Sequence, residues 1–230
     1  MEATEIRKLA ALEDRHWWYS ERRALLARQI SRMTPGTALD IGAAGGGNTR
    51  VLLDHGWRAM ALEYGQEGAE VALDRGIPVI RADGCALPVA NSSLDLVVAF
   101  DVLEHIEDDK TAAREIARAL RSGGIALVAV PADPKLWSAH DEAVGHFRRY
   151  TRQALTATLD SAGLIVESLD SWNVLLRPIA ARRRRNSTGS DLTKLPAPVN
   201  FGLRAIVVAE RYLPVRHFSG VSLIARLRRP

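Results

Sequence analysis

Apolar residues in this chain gather into short runs, and between the runs apolar and polar positions recur with a helical period. The stretches 38–41, 58–63, 78–83, 93–101, 125–131 and 164–172 are rich in Val, Ile, Leu and Ala and are predicted as strands. Residues 48–55, 66–76, 108–120 and 151–163 are predicted as helices. Gly56 and Gly76 close the first two and Gly123–Gly124 the third, while Thr151 serves as N-cap of the fourth. A seventh strand is predicted at 220–229. Strands that alternate with helices predict a parallel sheet covered on both faces, with ligand-binding residues just after the strands.

Composition adds an asymmetry to this picture. The 230 residues carry a net charge of +4, but from Ser171 onward 12 Lys/Arg face 2 Asp/Glu. The segment before it is acidic, with a balance of −6. A basic end on an acidic body suggests an anionic partner or a solvated face. The expected division is an N-terminal helical cap (1–34), a core (35–171), a basic helical insertion (172–219) and a final core strand (220–230). Inside the insertion, "VLLRPIAARRRR" and "VNFGLRAIVVAERYLP" read as amphipathic helices joined by a Ser/Thr/Pro-rich link at 186–198. Cys85 is the only cysteine, which excludes an intrachain disulfide. No run is apolar enough to span a bilayer and the charged N-terminus is not a secretory signal, so a cytoplasmic location is expected.

The strand ends carry the chemistry. The first strand runs through Asp40 into "GAAGGG", where small residues let a ligand approach the backbone and the N–H groups of the next helix. The second ends in Glu63, the third in Asp83–Gly84–Cys85, the fourth in "FDVLEHIED". In this order the motifs resemble those of class I S-adenosylmethionine-dependent methyltransferases of the small "LDIGxGxG…LEH" type. The likeness covers about 38–130, and extends to the end if 220–228 is the reversed seventh strand of that family. It implies a doubly wound, seven-stranded, mostly parallel α/β sheet with helices on both faces. It also implies that Asp40, Gly42, Ala43, Ala44 and Gly46 lie against the methionine part of S-adenosyl-L-methionine. Glu63 and Tyr64 would then face the ribose, Asp83, Gly84 and Cys85 the adenine, and Asp101 the methionine end. Ala44 stands where the family turn has a middle glycine.

"GAAGGG" also reads as Gly-x-Ala-x-x-Gly, so an NAD-dependent dehydrogenase is an alternative; "DVLEHIEDD" and the lack of a Tyr-x-x-x-Lys pair argue against it. A non-catalytic cofactor-binding adaptor is another. Methyl transfer needs chiefly an aligned acceptor, and for an oxygen acceptor a base. His105 and His146 are the candidate bases; Trp17, His140, Asp141, Arg149 and Tyr150 are the candidate acceptor contacts. Asp101, Glu104 and His105 form D-x-x-E-H, similar to E-x-x-E-H metal sites of some quinone- and RNA-modifying methyltransferases and suited to Mg²⁺. "LEH" also occurs in members without metal, and a metal-free site is the expectation here. The acceptor is expected to be small or lipid-linked, with Trp17 and Trp18 closing over it or anchoring their helix. The insertion is expected to cover the acceptor or meet a membrane surface. Its arginine cluster lacks interleaved aromatics, which argues against nucleic acid. Oligomeric state is left open.

Overall fold

The computed structural model describes residues 7, 10–185 and 195–230; most of the expected link, 186–194, lies outside them. Seven strands form one sheet: β1 (Thr37–Ile41), β2 (Arg58–Glu63), β3 (Val79–Arg81), β4 (Leu94–Phe100), β5 (Leu120–Pro131), β6 (Ile165–Trp172) and β7 (Ser222–Arg228). Their order is β3-β2-β1-β4-β5-β7-β6. β1 to β5 pair in parallel, and β7 enters antiparallel between β5 and β6, with Pro131 opposite Ser222. This is the doubly wound sheet with a reversed final strand that the family resemblance implies.

The helices are α1 (Trp17–Ile30), α2 (Gly47–Asp54), α3 (Gln66–Asp74), α4 (Asp109–Ala119), α5 (Ala139–Val144), α6 (Arg152–Asp160), α7 (Arg177–Arg185) and α8 (Ala197–Glu210). The unbroken apolar run of β4 follows from coverage on both faces. Val97 and Ala99 pack on one side with Ile116 of α4 and Leu155 and Leu159 of α6. Leu96, Val98 and Phe100 pack on the other with Leu26 and Ile30 of α1 and Leu52 of α2. Thr151 caps α6 as expected, its Oγ1 accepting the Ala154 N–H at 3.0 Å.

One expectation fails at α4. The helix stops at Ala119, and Gly123–Gly124 lie inside β5, which begins five residues earlier than its apolar run. Ser92 and Ser93 donate their N–H groups to the Arg118 and Ala119 carbonyls, diverting the last turn. Gly123 takes a left-handed φ of +75° where the strand is irregular, so the glycines mark a bulged strand start instead of a helix stop.

The chain winds outward from β1 to β3 and then returns to place β4 beside β1. A crevice therefore opens over the carboxyl ends of β1 and β4.

Candidate active site

On the β1–β3 side the site is made mostly of backbone. Gly42 N–H donates to the Leu62 carbonyl at 2.8 Å, and Ala44 N–H donates to Glu63 Oε2 at 2.8 Å. Gly65 N–H donates to the other Glu63 oxygen at 3.0 Å. Glu63 thus clasps the turn while standing at the end of β2. Gly42 and Gly46 have φ of +66° and +78°, conformations that favour glycine, and Gly46 is the N-cap of α2. Ala44 takes φ +46° despite its methyl group.

The other glycines of the turn are there for protein packing. A Cβ on Gly45 would meet Arg75 at 2.7 Å, and one on Gly47 would meet Glu13 at 2.6 Å. Asp40 corrects an expectation. Its carboxyl is buried under the turn and accepts from the Thr49 hydroxyl at 2.7 Å, so it shapes the turn instead of facing a ligand. Burial pushes its pKa up to about 7 against the opposing Thr49 hydrogen bonds. At the end of β3, Asp83 is exposed and accepts the Cys85 N–H at 2.8 Å, while Gly84 is buried beneath it. Tyr64 stands exposed beside Glu63.

On the β4–β5 side the site is made of side chains from distant segments. Asp101 follows β4 with φ +57° and accepts from Arg22 Nη2 at 2.8 Å. Arg22 also donates to Ser222 Oγ at 2.9 Å and lies over the rings of Trp172 (4.4 Å) and Trp18 (5.1 Å). Its Nε and Nη1 are buried without a partner. Trp17 and Trp18 both pack on the Trp172 ring, so each anchors α1 as well as walling the site.

His105 and His146 meet edge to face at 4.6 Å. His105 Nδ1 lies 3.3 Å from the Gly145 carbonyl. A carbonyl can only accept, so Nδ1 carries the hydrogen and Nε2 keeps its lone pair. Burial, then the neighbouring His146, lowers the His105 pKa to about 4, so the ring is neutral near pH 7. His146 Nδ1 donates to Asp141 Oδ1 at 2.8 Å.

Two predicted acceptor contacts are corrected. Asp141 is 0% exposed and fully engaged: Arg149 Nη1 at 2.8 Å, Arg184 Nη1 at 3.0 Å, His146 and Ser138 surround it. Burial alone would raise its pKa, but the His146 hydrogen bond and the two guanidiniums hold it well below the carboxylate range. Tyr150 is 2% exposed and bonds Asp109 Oδ2 at 2.7 Å, placing it in the core beneath the site. Of "HDEAVGHFRRY", His140, Val144, His146 and Arg149 reach the cavity wall, while Asp141 and Tyr150 lie behind it.

The predicted D-x-x-E-H set is also rearranged. Asp101 turns to Arg22, and among the described residues those whose ligand atoms lie within 4.8 Å of one another are Glu104, His105 and His146. Glu104 is 1% exposed; burial and then Asp101 raise its carboxyl well above the usual range. At 3.9 Å its oxygen is too far from His146 Nε2 to bond.

These residues floor a cavity of about 280 Å³. Its walls come from Trp17 and Trp18 of α1, Ile179 and Ala180 of α7 and Leu203 of α8, so it is largely apolar. The roof is tied down by Trp17 N–H to Asn200 Oδ1 (2.8 Å) and by Arg204 and Arg211 on the buried Glu21. Sequence reading misses Arg22, Trp172, Asn173 and Ser222. Arg22 alone leaves a local signal, four residues after Trp18 on the same helix face.

Comparison with known proteins agrees with this geometry. Residues 39–128 match the family described as a methyltransferase domain. The chain is 26% identical over 166 residues to a protein of Mycobacterium tuberculosis (strain CDC 1551 / Oshkosh) named a probable S-adenosylmethionine-dependent methyltransferase, covering 70% of this chain and 61% of that one. It is 27% identical over 188 residues to a demethylmenaquinone methyltransferase of Corynebacterium urealyticum, covering 79% of each. A chain of the complex between the Haloferax volcanii Trm112 methyltransferase activator and a methyltransferase shares the fold: TM-score 0.66, 21% identity, 99% of this chain and 96% of that one. The chain therefore spans about three fifths of the mycobacterial relative. Residues 39–128 are thus similar to a methyltransferase domain, and the mycobacterial relative is named for S-adenosylmethionine. The dehydrogenase alternative falls with this match and with the reversed β7.

Proposed function

We propose that the chain transfers a methyl group from S-adenosylmethionine to an oxygen of a small or lipid-linked, largely apolar acceptor. The residues at the strand ends fit the cofactor chemically. Glu63 and Asp83 are acceptors at successive strand ends, suited to a ribose diol and an adenine amine. Asp101 and Arg22 set an anion beside a cation with unmet donors, the pair that a zwitterionic amino-acid end needs. The cofactor supplies a methyl on a sulfonium, open to in-line displacement by an acceptor held at about 3–3.5 Å.

The observation that carries the acceptor side is His105. Its neutral ring, with Nδ1–H turned to the Gly145 carbonyl, keeps Nε2 free as a base at the cavity wall. His105 takes the acceptor hydroxyl proton as the new O–C bond forms. His146, oriented by Asp141, packs on His105 and fixes its plane. The apolar walls select the body of the acceptor and exclude water from the reacting oxygen.

The test is release of S-adenosylhomocysteine over a panel of phenols, aliphatic alcohols and amines, with calorimetric titration of the cofactor and its product. Turnover with hydroxyl acceptors, lost in His105→Ala, is expected. Cofactor binding without turnover on any acceptor would favour the adaptor reading, and turnover on amines alone would displace oxygen as the target atom.

A further inference from the structure

α8 is apolar on two sides. Its inner face sends Leu203 and Val207 toward the cavity and the core. Its outer face carries Phe201, Ala205, Val208 and, just past the helix end, Tyr212, spaced at i, i+4, i+7 and i+11. Phe201 is 74% exposed and Tyr212 83% exposed, and Phe218 stands exposed shortly after. Three large aromatic side chains in solvent within eighteen residues form a surface that asks for a partner.

The charge around this face selects the partner. Residues 172–219 hold nine Lys/Arg against two Asp/Glu. Arg182 and Arg185 are exposed on α7, Arg204 on α8, and Arg216 on the loop that follows. The acidic residues that meet them do not balance them: Glu21 is shared by Arg204 and Arg211, and Asp170 lies 3.9 Å from the exposed Arg216. A second copy would set this basic face against itself. A polar aqueous ligand would leave the aromatics wet. An anionic bilayer surface meets both features, taking Phe and Tyr into the headgroup region and the guanidiniums onto the phosphates.

We propose that the outer face of α8, with the basic residues flanking it, docks the protein on an anionic lipid surface. The same α7 and α8 roof the apolar cavity, so docking sets the cavity beside the bilayer. That last step, delivery of an acceptor from the membrane, rests on the methyl-transfer reading; the docking itself does not.

The experiment is co-sedimentation of the full chain with vesicles of phosphatidylcholine alone and of phosphatidylcholine with phosphatidylglycerol. Binding is expected to the anionic vesicles, to weaken with salt, and to fall by about tenfold or more in Phe201→Glu/Tyr212→Glu. Both side chains lie outside the cavity wall, so the variant's affinity for S-adenosylhomocysteine should match the wild type and report an intact fold. Equal pelleting with and without phosphatidylglycerol, or undiminished pelleting of the variant, overturns the proposal. So does a concentration-dependent dimer that the same substitutions disperse, which would assign the face to a second copy. Loss of cofactor binding in the wild type would count against the methyl-transfer reading and leave docking intact.

Discussion

The two halves of the site are built in opposite ways. Over β1 to β3 the working parts sit within a few residues of their strand ends and are held by short-range backbone bonds, as Ala44 and Gly65 hold Glu63. Over β4 and β5 they come from segments far apart in the chain: Arg22 meets Asp101, Arg184 meets Asp141, and Trp17 meets Asn200. One half can be altered residue by residue. The other is a network in which removal of one member strands several. Under the proposed methyl transfer this division has a use, since one half would hold the methyl donor and the other the acceptor.

The largest effect is expected where the network is densest. Asp141→Ala leaves Arg149 buried without its counter-charge and should cost about 3–5 kcal/mol of stability, read by denaturant unfolding. A cost under about 1 kcal/mol would show that the acceptor half is as loosely coupled as the cofactor half. Next, His105→Ala should cut turnover about a hundredfold or more with unchanged affinity for S-adenosylhomocysteine. Because burial lowers His105 to about 4, its free-base form persists through pH 5–7. The wild-type rate should hold over that range and fall only as pH drops through about 4; an acid limb near 6.5 would place the base elsewhere.

On the cofactor half, Glu63→Ala should weaken S-adenosylhomocysteine about tenfold or more, through lost ribose bonds and a loosened turn. Decreased turnover without weaker binding would blur the boundary between the halves. Asp40 sharpens it differently. Its carboxyl binds protons more tightly in the folded chain, pushed up to about 7, than unfolded. Its contribution to stability is therefore fully present below about pH 4 and lost as pH rises through about 7. Asp40→Asn keeps an acceptor for Thr49 and removes this dependence. Its melting temperature should match the wild type below about pH 4 and exceed it by a growing margin up to about pH 7. The smallest effect belongs to Ala44→Gly, which relieves a left-handed alanine and should stabilise by roughly 0.5–1 kcal/mol.

The same division separates what is legible in the sequence from what is not. The sheet and the order of Gly42, Glu63, Asp83 and Asp101 are legible because each is announced within a few residues of a strand; the reversal of the last strand comes only from the family resemblance. Asp40 and Asp141 mislead because a carboxylate's letter does not say whether it faces solvent; burial under Thr49 and among two arginines decides that. Tyr150 misleads for the same reason. Arg22, Trp172 and Ser222 escape notice because they come together from sites up to 200 residues apart.

That separation has a consequence for the order in which the molecule comes into being. The partners of α1 in the cavity roof, Trp172, Asn200 and Ser222, leave the ribosome more than 140 residues after it. A nascent chain that has emerged as far as Pro131 holds the glycine-rich turn, Glu63 and Asp83, and α1 can already pack on β4 and α2, yet the residues that close the cavity over it are still missing. On the proposed reading, synthesis delivers the means to grip a methyl donor well before the chamber in which to use it.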